Sequence, residues 1–220
     1  VPSDIGSYEG STQLTTATPT ADPSRRYVYS TSPNGYVHKL AVADGHQIWG
    51  TRVTLLPTHE KLASPPTVSG GSLIVVTDGY YGDTPPYQGH VLTLSLATGR
   101  IQHVWNSLCS NRHYLLVPST CGGSDSAIWG RAGAVLVPGS GDILVSTGNG
   151  PFNGRTNWGD SVLELAPDAS RLLHNYTPTD QSQLSSGDQD LGSTSPALLP
   201  DPGGPPLAVQ GGKDGLLKLL

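Results

Sequence analysis

An all-β fold of repeated four-stranded antiparallel units is what this 220-residue sequence predicts, and three observations carry it. Similar stretches recur along the chain, each built of short apolar or alternating runs broken by Gly-containing turns. Glycine (28 residues) and proline (19) are abundant while charged residues make up only 13%, which suits short strands and tight turns better than helices. No stretch longer than a few residues carries helical periodicity.

The first unit, "RRYVYSTSPNGYVHKLAVADGHQIWG", reads as a strand, the Asn34-Gly35 turn, a strand, the Asp44-Gly45 turn, and a strand ending at Trp49. In its middle strand Val37, Lys39 and Ala41 alternate with His38, Leu40 and Val42, the pattern of a sheet packed on both faces. The second unit repeats this with Leu73 to Thr77, Gly89 to Leu96, the Thr98-Gly99 turn and a strand ending at Trp105. A third, "GDILVSTGNG…GDSVLELAPDASRLLHNY", puts Tyr176 at the aromatic position. The fourth, "PPLAVQGGKDGLLKLL", reaches Leu220 before its last turn and strand.

A Ser/Thr/Pro-rich strand precedes each unit: "TTATPTA", "ASPPTVS", "SAIWGRAGAVLV" and "GSTSPALLP". Four strands per unit is the grammar of a β-propeller blade, with blades at approximately 14–52, 62–108, 126–178 and 192–220. Trp49 and Trp105, ending equivalent strands, read as blade-packing residues. An open arc of about four blades leaves two sheet faces uncovered, so further blades or a second chain are expected to complete the ring.

Net charge of −5 with no Lys/Arg cluster argues against a nucleic-acid partner. No apolar run approaches the roughly 18 residues of a membrane span. The N-terminus, Val-Pro-Ser-Asp, lacks the basic and apolar regions of a signal peptide, which implies a removed signal or a piece of a longer chain. Cys109 and Cys121 flank a polar loop and lie in no CxxC motif; a disulfide between them, rather than two free thiols, implies a secreted or periplasmic setting. The histidines are scattered, and none is assigned to a metal. Asn175-Tyr176-Thr177 fits the N-glycosylation pattern, which is informative only for a eukaryotic source.

One stretch departs from the repeat. Between the runs Ile143 to Thr147 and Ser161 to Leu165 the chain inserts "GNGPFNGRTNWGD", far more than the two to five residues of a simple hairpin.

The unit "VYxxSxxGYVxxLxxxDGxxxW" resembles the repeat of pyrroloquinoline-quinone (PQQ) binding-like propellers, whose full-length members have eight blades, over nearly the whole chain. The inserted loop is similar to one in quinoprotein alcohol dehydrogenases. There an Asn in a Thr-Gly-Asn binds the calcium beneath the quinone, as Thr147-Gly148-Asn149 is placed to do, and a Trp, here Trp158, often follows. The resemblance implies Trp129-Gly130 as the aromatic floor under the cofactor and Asp190, with Asp188 beside it, as the catalytic base and a metal ligand. Lys213, before an Asx-Gly turn, matches the basic residue that contacts the quinone oxygens.

Each implied role has a chemical reason. An indole stacks on a planar quinone; an amide oxygen is a hard ligand for Ca²⁺, which polarises a quinone carbonyl; a carboxylate takes the alcohol proton; and an ammonium steadies charge on the reduced quinone. The bland readings are a core tryptophan, a turn asparagine, solvated carboxylates and an exposed turn lysine.

The chain departs from the family in two respects: it shows no pair of adjacent cysteines, which many alcohol dehydrogenases carry near the quinone, and it lacks the family's glutamate calcium ligand. The loop "DGYYGDTPPYQGH", where a glutamate calcium ligand belongs, has no Glu and offers only Asp83 in its place. The expected function is therefore an extracytoplasmic, non-catalytic binding or scaffold propeller. The alternative is a PQQ- and calcium-dependent dehydrogenase of alcohols or sugars.

Overall fold

The computed structural model describes residues 15–80, 85–199, 204 and 207–220, and the backbone of two short paired strands, Ser7–Tyr8 and Ser11–Thr12. Among the described residues four larger antiparallel sheets follow one another along the chain, beside a two-stranded pair of Glu60–Lys61 with Asp78–Gly79 and the pair already named. The first pairs Thr20–Ala21, Tyr27–Ser32, Tyr36–Ala41 and Gln47–Arg52 in sequence order. The second is Thr67–Ser69, Ser72–Val76, His90–Ser95 and Ile101–Asn106. The third is Val135–Leu136, Ile143–Ser146, Val162–Leu165 and Leu172–Tyr176. The fourth, among the described residues, has three strands: Ala197–Leu199, Leu207–Gly211 and Leu217–Leu219.

A register irregularity recurs at one place in three sheets. Pairing between the third and fourth strands slips after Lys39, after Thr93 and after Glu164. A bulge increases local twist, and its repetition makes Lys39, Thr93 and Glu164 structurally equivalent. Counting back two residues on the same face, Val37, Val91 and Val162 are equivalent as well.

This alignment exposes the packing rule. Tyr29 and Val37 of the first sheet pack against Leu73, Val75, Leu92 and Leu94 of the second. The other face of the second sheet, with Ile74, Val76, Val91 and Trp105, packs against Ile143, Val145, Leu163 and Leu165 of the third. Leu144 and Val137 of the third meet Ala208, Leu198 and Leu220 of the fourth. Because side chains alternate along a strand, each sheet gives one set of residues to the blade before it and the other to the blade after. The result is a β-propeller arc.

Aromatic residues at the strand ends lock neighbours together. The Trp49 indole N–H donates to the Leu96 carbonyl (3.2 Å) in the turn of the next blade. Gly99 in that turn has φ +71, and a Cβ there would lie 2.6 Å from the indole ring, so glycine is needed both for its backbone and for the approach. Trp105 is 1% exposed within the contact between the second and third sheets.

A buried polar cluster joins the Val53–Lys61 crossover to the second sheet. His90 Nε2 lies 2.9 Å from Glu60 Oε1, and His90 Nδ1 lies 2.6 Å from Asn106 Oδ1. Thr54 donates to the other Glu60 oxygen. Burial disfavours a charged imidazole, but the Glu60 charge and these hydrogen bonds outweigh it and raise the His90 pKa.

One α-helix, Gln181–Ser186, was not expected from the sequence. It is too short to show a 3.6-residue period, and it buries only Leu184. Among the described residues no helix is long and apolar enough to cross a membrane.

Replacing Trp105 by Ala removes the largest side chain of the buried contact between the second and third sheets. It is expected to lower the unfolding free energy by about 3–5 kcal/mol, measured by urea titration.

Candidate functional site

Trp129, Asn149, Asp190 and Lys213 leave four different segments and converge. Asn149 follows the strand Ile143–Ser146, and Lys213 sits in the turn between Leu207–Gly211 and Leu217–Leu219. Asp190 precedes the 3₁₀ turn Leu191–Ser193. Trp129 belongs to a segment tied to the ends of two sheets: the Ile128 N–H donates to the Thr77 carbonyl (3.1 Å), and the Gly148 N–H donates to the Ala127 carbonyl (2.8 Å).

Asp190 is the hub. Its Oδ1 accepts the Asn149 backbone N–H at 2.7 Å, and its Oδ2 lies 2.5 Å from Lys213 Nζ. The Lys213 ammonium also reaches Asp188 Oδ1 at 3.2 Å, and the Lys213 N–H donates to the Asp190 carbonyl at 3.0 Å. Burial works against the Lys213 charge, yet the two aspartates more than offset it and hold its pKa above the ordinary lysine value. Gly148 makes the convergence possible, because a Cβ there would lie 2.5 Å from both Asp190 Oδ1 and Trp129 Nε1. The far edge of the Trp129 ring faces Gly79, and the Tyr87 ring meets it edge-on at 6.0 Å between centroids and 66°.

Two carboxyls that sequence reasoning did not single out complete the site. Asp160, fully buried at φ +48, accepts the Leu191 N–H on Oδ1 at 3.1 Å and donates its own N–H to the Gly148 carbonyl at 2.8 Å. Burial pushes its pKa up to about 7, the Asp190 charge adds to this, and the Leu191 N–H, Gln181 and Lys213 partly oppose it. Asp125 and Ser126 both take left-handed backbone, φ +78 and +61, and the Ser126 N–H donates to the Asn149 carbonyl at 2.5 Å. Burial raises the Asp125 carboxyl, again with a contribution from Asp190. The one sequence signal for Asp160 was that it stands, two residues before Val162, where the other blades put Gly35 before Val37 and Gly89 before Val91.

The inserted loop folds back onto the preceding blade. The Trp158 N–H donates to the Ser107 carbonyl (3.0 Å), and the indole N–H of Trp158 donates to Ser110 Oγ (3.0 Å). The Ser110 N–H donates to the Thr156 carbonyl (2.9 Å), and Asn157 Oδ1 accepts the Cys109 N–H (3.3 Å). Cys109 and Cys121 form a disulfide with Cα atoms 5.7 Å apart, which anchors the segment that the loop grips. On its other side Gly150 is held by Ser185 and Gln181 of the short helix. The loop is thus a clasp that sets the position of Asn149.

Two polar atoms at the site, Trp129 Nε1 and Asn149 Oδ1, are buried without a hydrogen-bond partner. The free amide oxygen suits a hard cation, but the rest of the donor set does not. Calcium takes six to eight oxygens, both Asp190 oxygens are engaged, and among the described residues no three His, Cys, Asp or Glu side chains are grouped to hold a metal. Asp83 lies outside the described residues. Among the described residues the buried glutamate is Glu60, which pairs opposite Gly79 and is bound to His90.

A raised carboxyl pKa has a defined effect on stability. Between the ordinary aspartate value of about 4 and about 7 the folded chain holds more protons at Asp160 than the unfolded chain. Its contribution is therefore full at acid pH and is lost as pH rises through that window. Asp160→Asn is expected to flatten the fall in stability between about pH 5 and 8, read as the difference between the denaturation profiles of variant and parent.

Comparison with protein-family models gives no match, and comparison with curated proteins gives none. Solved structures do match. The quinohemoprotein alcohol dehydrogenase from Comamonas testosteroni superposes with a TM-score of 0.67 at 19% identity, over 89% of this chain and 32% of that one. A europium-containing methanol dehydrogenase gives 0.67 at 18% identity, over 92% and 39%. The RRP9 WD40 repeats give 0.53 at 13% identity, over 95% and 48%. The chain spans about a third of the length of the two dehydrogenases it matches. It has a β-propeller fold that resembles, at a distance, that of the quinoprotein alcohol dehydrogenases.

Proposed function

We propose that this chain is an extracytoplasmic propeller module that binds or scaffolds rather than catalyses, with its arc completed by further blades or a second chain. The state of Asp190 carries the reading. A general base needs a free oxygen within reach of the proton it removes, and the Asp190 carboxylate, 5% exposed, spends one oxygen on the Asn149 N–H and the other on Lys213. That arrangement suits a polar lock joining the third and fourth blades. The disulfide supports a setting outside the cytosol, where such bonds persist.

The second reading, a PQQ- and calcium-dependent dehydrogenase of alcohols or sugars, is favoured by one observation. Trp129, Asn149, Asp190 and Lys213 meet at a single place, and two polar atoms there are left without partners. In that reading Trp129 would form the floor under the cofactor, Asn149 and Asp190, with Asp83, would hold the metal, and Lys213 would face the quinone oxygens.

Dye reduction followed with added PQQ, Ca²⁺ and a panel of alcohols and sugars separates the two. No turnover is expected; turnover that vanishes in Asp190→Asn would establish the dehydrogenase instead. Alkylation without reductant is expected to label neither Cys109 nor Cys121, and two labelled thiols would remove the support for an extracytoplasmic setting.

A further inference from the structure

His90 sits between two groups that accept hydrogen bonds and cannot donate to it. On one side Glu60 Oε1 lies 2.9 Å from Nε2. That oxygen also takes the Gln88 N–H at 3.2 Å, and the other Glu60 oxygen takes the Thr54 hydroxyl, so the carboxylate serves as an acceptor throughout. On the other side Asn106 Oδ1 lies 2.6 Å from Nδ1. The Asn106 amide is held in that sense, because its nitrogen faces the Arg112 carbonyl at 2.6 Å and the Tyr114 carbonyl at 3.2 Å, and carbonyls only accept. A neutral imidazole carries one N–H and one bare nitrogen; the imidazolium carries two N–H groups. Ring, carboxylate and amide are all at most 1% exposed, so bulk solvent does not reach them. The geometry asks for two N–H donors.

The far end of this chain of bonds is a surface loop. Asn111, His113 and Tyr114 are exposed and Arg112 is half-buried, and the Asn106 amide ties the backbone at 112 and 114 to the second sheet. We propose that His90 is a proton-operated latch: as an imidazolium it keeps Asn106 turned toward the loop and the loop closed, and on losing a proton it lets the amide turn over and the loop open. The proton that stays on the neutral ring is the one facing Glu60, since a hydrogen bond to a charged acceptor is the stronger. Nδ1 then presents a lone pair to Asn106 Oδ1 at 2.6 Å. Turning the amide over relieves that contact by offering its NH2 to Nδ1, but it aims Oδ1 at two carbonyl oxygens, and the loop must leave. Each state satisfies one side of Asn106, so one proton biases a two-state element. The same loop begins at Ser110, which holds the Trp158 indole, so the latch reaches the clasp at the candidate site.

The charges around the ring fix the direction of the switch. Among the described residues the charged group touching the imidazole is Glu60, from the Val53–Lys61 crossover. Beside it Lys61 pairs opposite Asp78 and lies 5.9 Å from the centre of the Tyr80 ring, and burial pushes the Asp78 carboxyl well up toward its neutral form. The loop brings Arg112, whose guanidinium donates to the Thr120 carbonyl at 3.0 Å, and the exposed His113. Burial opposes the imidazolium, but the Glu60 charge and the two hydrogen bonds outweigh it and hold the His90 pKa above the ordinary value of about 6.5. The latch is therefore fully closed below about pH 6.5 and is lost as pH rises through the raised value.

Two measurements on the intact chain test this. Nitrogen-15 spectra of the imidazoles, assigned with His90→Gln, are expected to show both His90 ring nitrogens protonated at about pH 6; a bare nitrogen there would overturn the proposal. Trypsin cleavage after Arg112 requires the loop to open. Its rate, relative to an unfolded peptide of the same sequence, is expected to rise about tenfold or more between about pH 6 and 9. Glu60→Gln takes away the charge that holds the proton and should move that rise to lower pH by about one unit. Circular dichroism checks the fold of this variant, and should it not fold, the parent's ring spectra decide alone. His113→Gln, beside the cleaved bond, should leave the rise in place. A flat cleavage rate, a rise unmoved in folded Glu60→Gln, or one lost in His113→Gln would each overturn the latch. The latch does not depend on whether the chain catalyses, so these outcomes and the dye-reduction result stand apart.

Discussion

Every blade of this protein has two apolar faces, and neither is stable in water. That is the constraint from which the rest of the structure follows. A sheet packed on one side shows alternation of apolar and polar residues; a sheet packed on both shows apolar residues at nearly every position, as in Leu73 to Val76, all at most 2% exposed. Such a sheet cannot stand alone, so each blade folds against its neighbours and the chain becomes a stack. The recurrent slip after Lys39, Thr93 and Glu164 puts a bulge, which adds local twist, at the same place in the first three sheets. One packing rule is then used three times along the chain.

The stack also explains why a site forms at all. In a repeated structure the equivalent strand ends of successive blades come to the same side, so loops far apart in sequence become neighbours. Asn149 and Asp190 are brought to 2.7 Å this way, and Lys213 to 2.5 Å from Asp190. The glycines at these ends let the groups approach; any side chain at Gly148 would collide with both Asp190 and Trp129. The inserted loop and the disulfide segment then fix the Asn149 end by gripping each other across the boundary between the second and third blades. Charge is arranged sparingly: one ammonium serves two aspartates, while Asp160 and Asp125, held near them without cations of their own, are pushed toward neutrality.

The repeat was legible because packing on both faces leaves a strong mark on local sequence. Strand, Asn-Gly or Asp-Gly turn, strand and closing aromatic are all short-range features, and the structure places them where the turns and alternation indicate. The four-stranded antiparallel sheets follow in the same way, and the structure pairs Cys109 with Cys121. Asp160 and the Glu60–His90 pair were not legible. Each is a single polar residue whose meaning depends on burial and on a partner about thirty residues away, and neither burial nor partner leaves a periodic trace.

The sequence by itself determined the architecture, since hydrophobic alternation and turn chemistry act between residues close along the chain and a repeat multiplies that signal. Tertiary structure alone decided the state of the site. Whether Asp190 is a free base or a bound anion depends on where Lys213 and the Asn149 N–H come to rest, and the packing of the third sheet on the fourth sets that distance. Electrostatic and hydrogen-bond energies change steeply over a few ångströms, a scale on which sequence spacing carries no information.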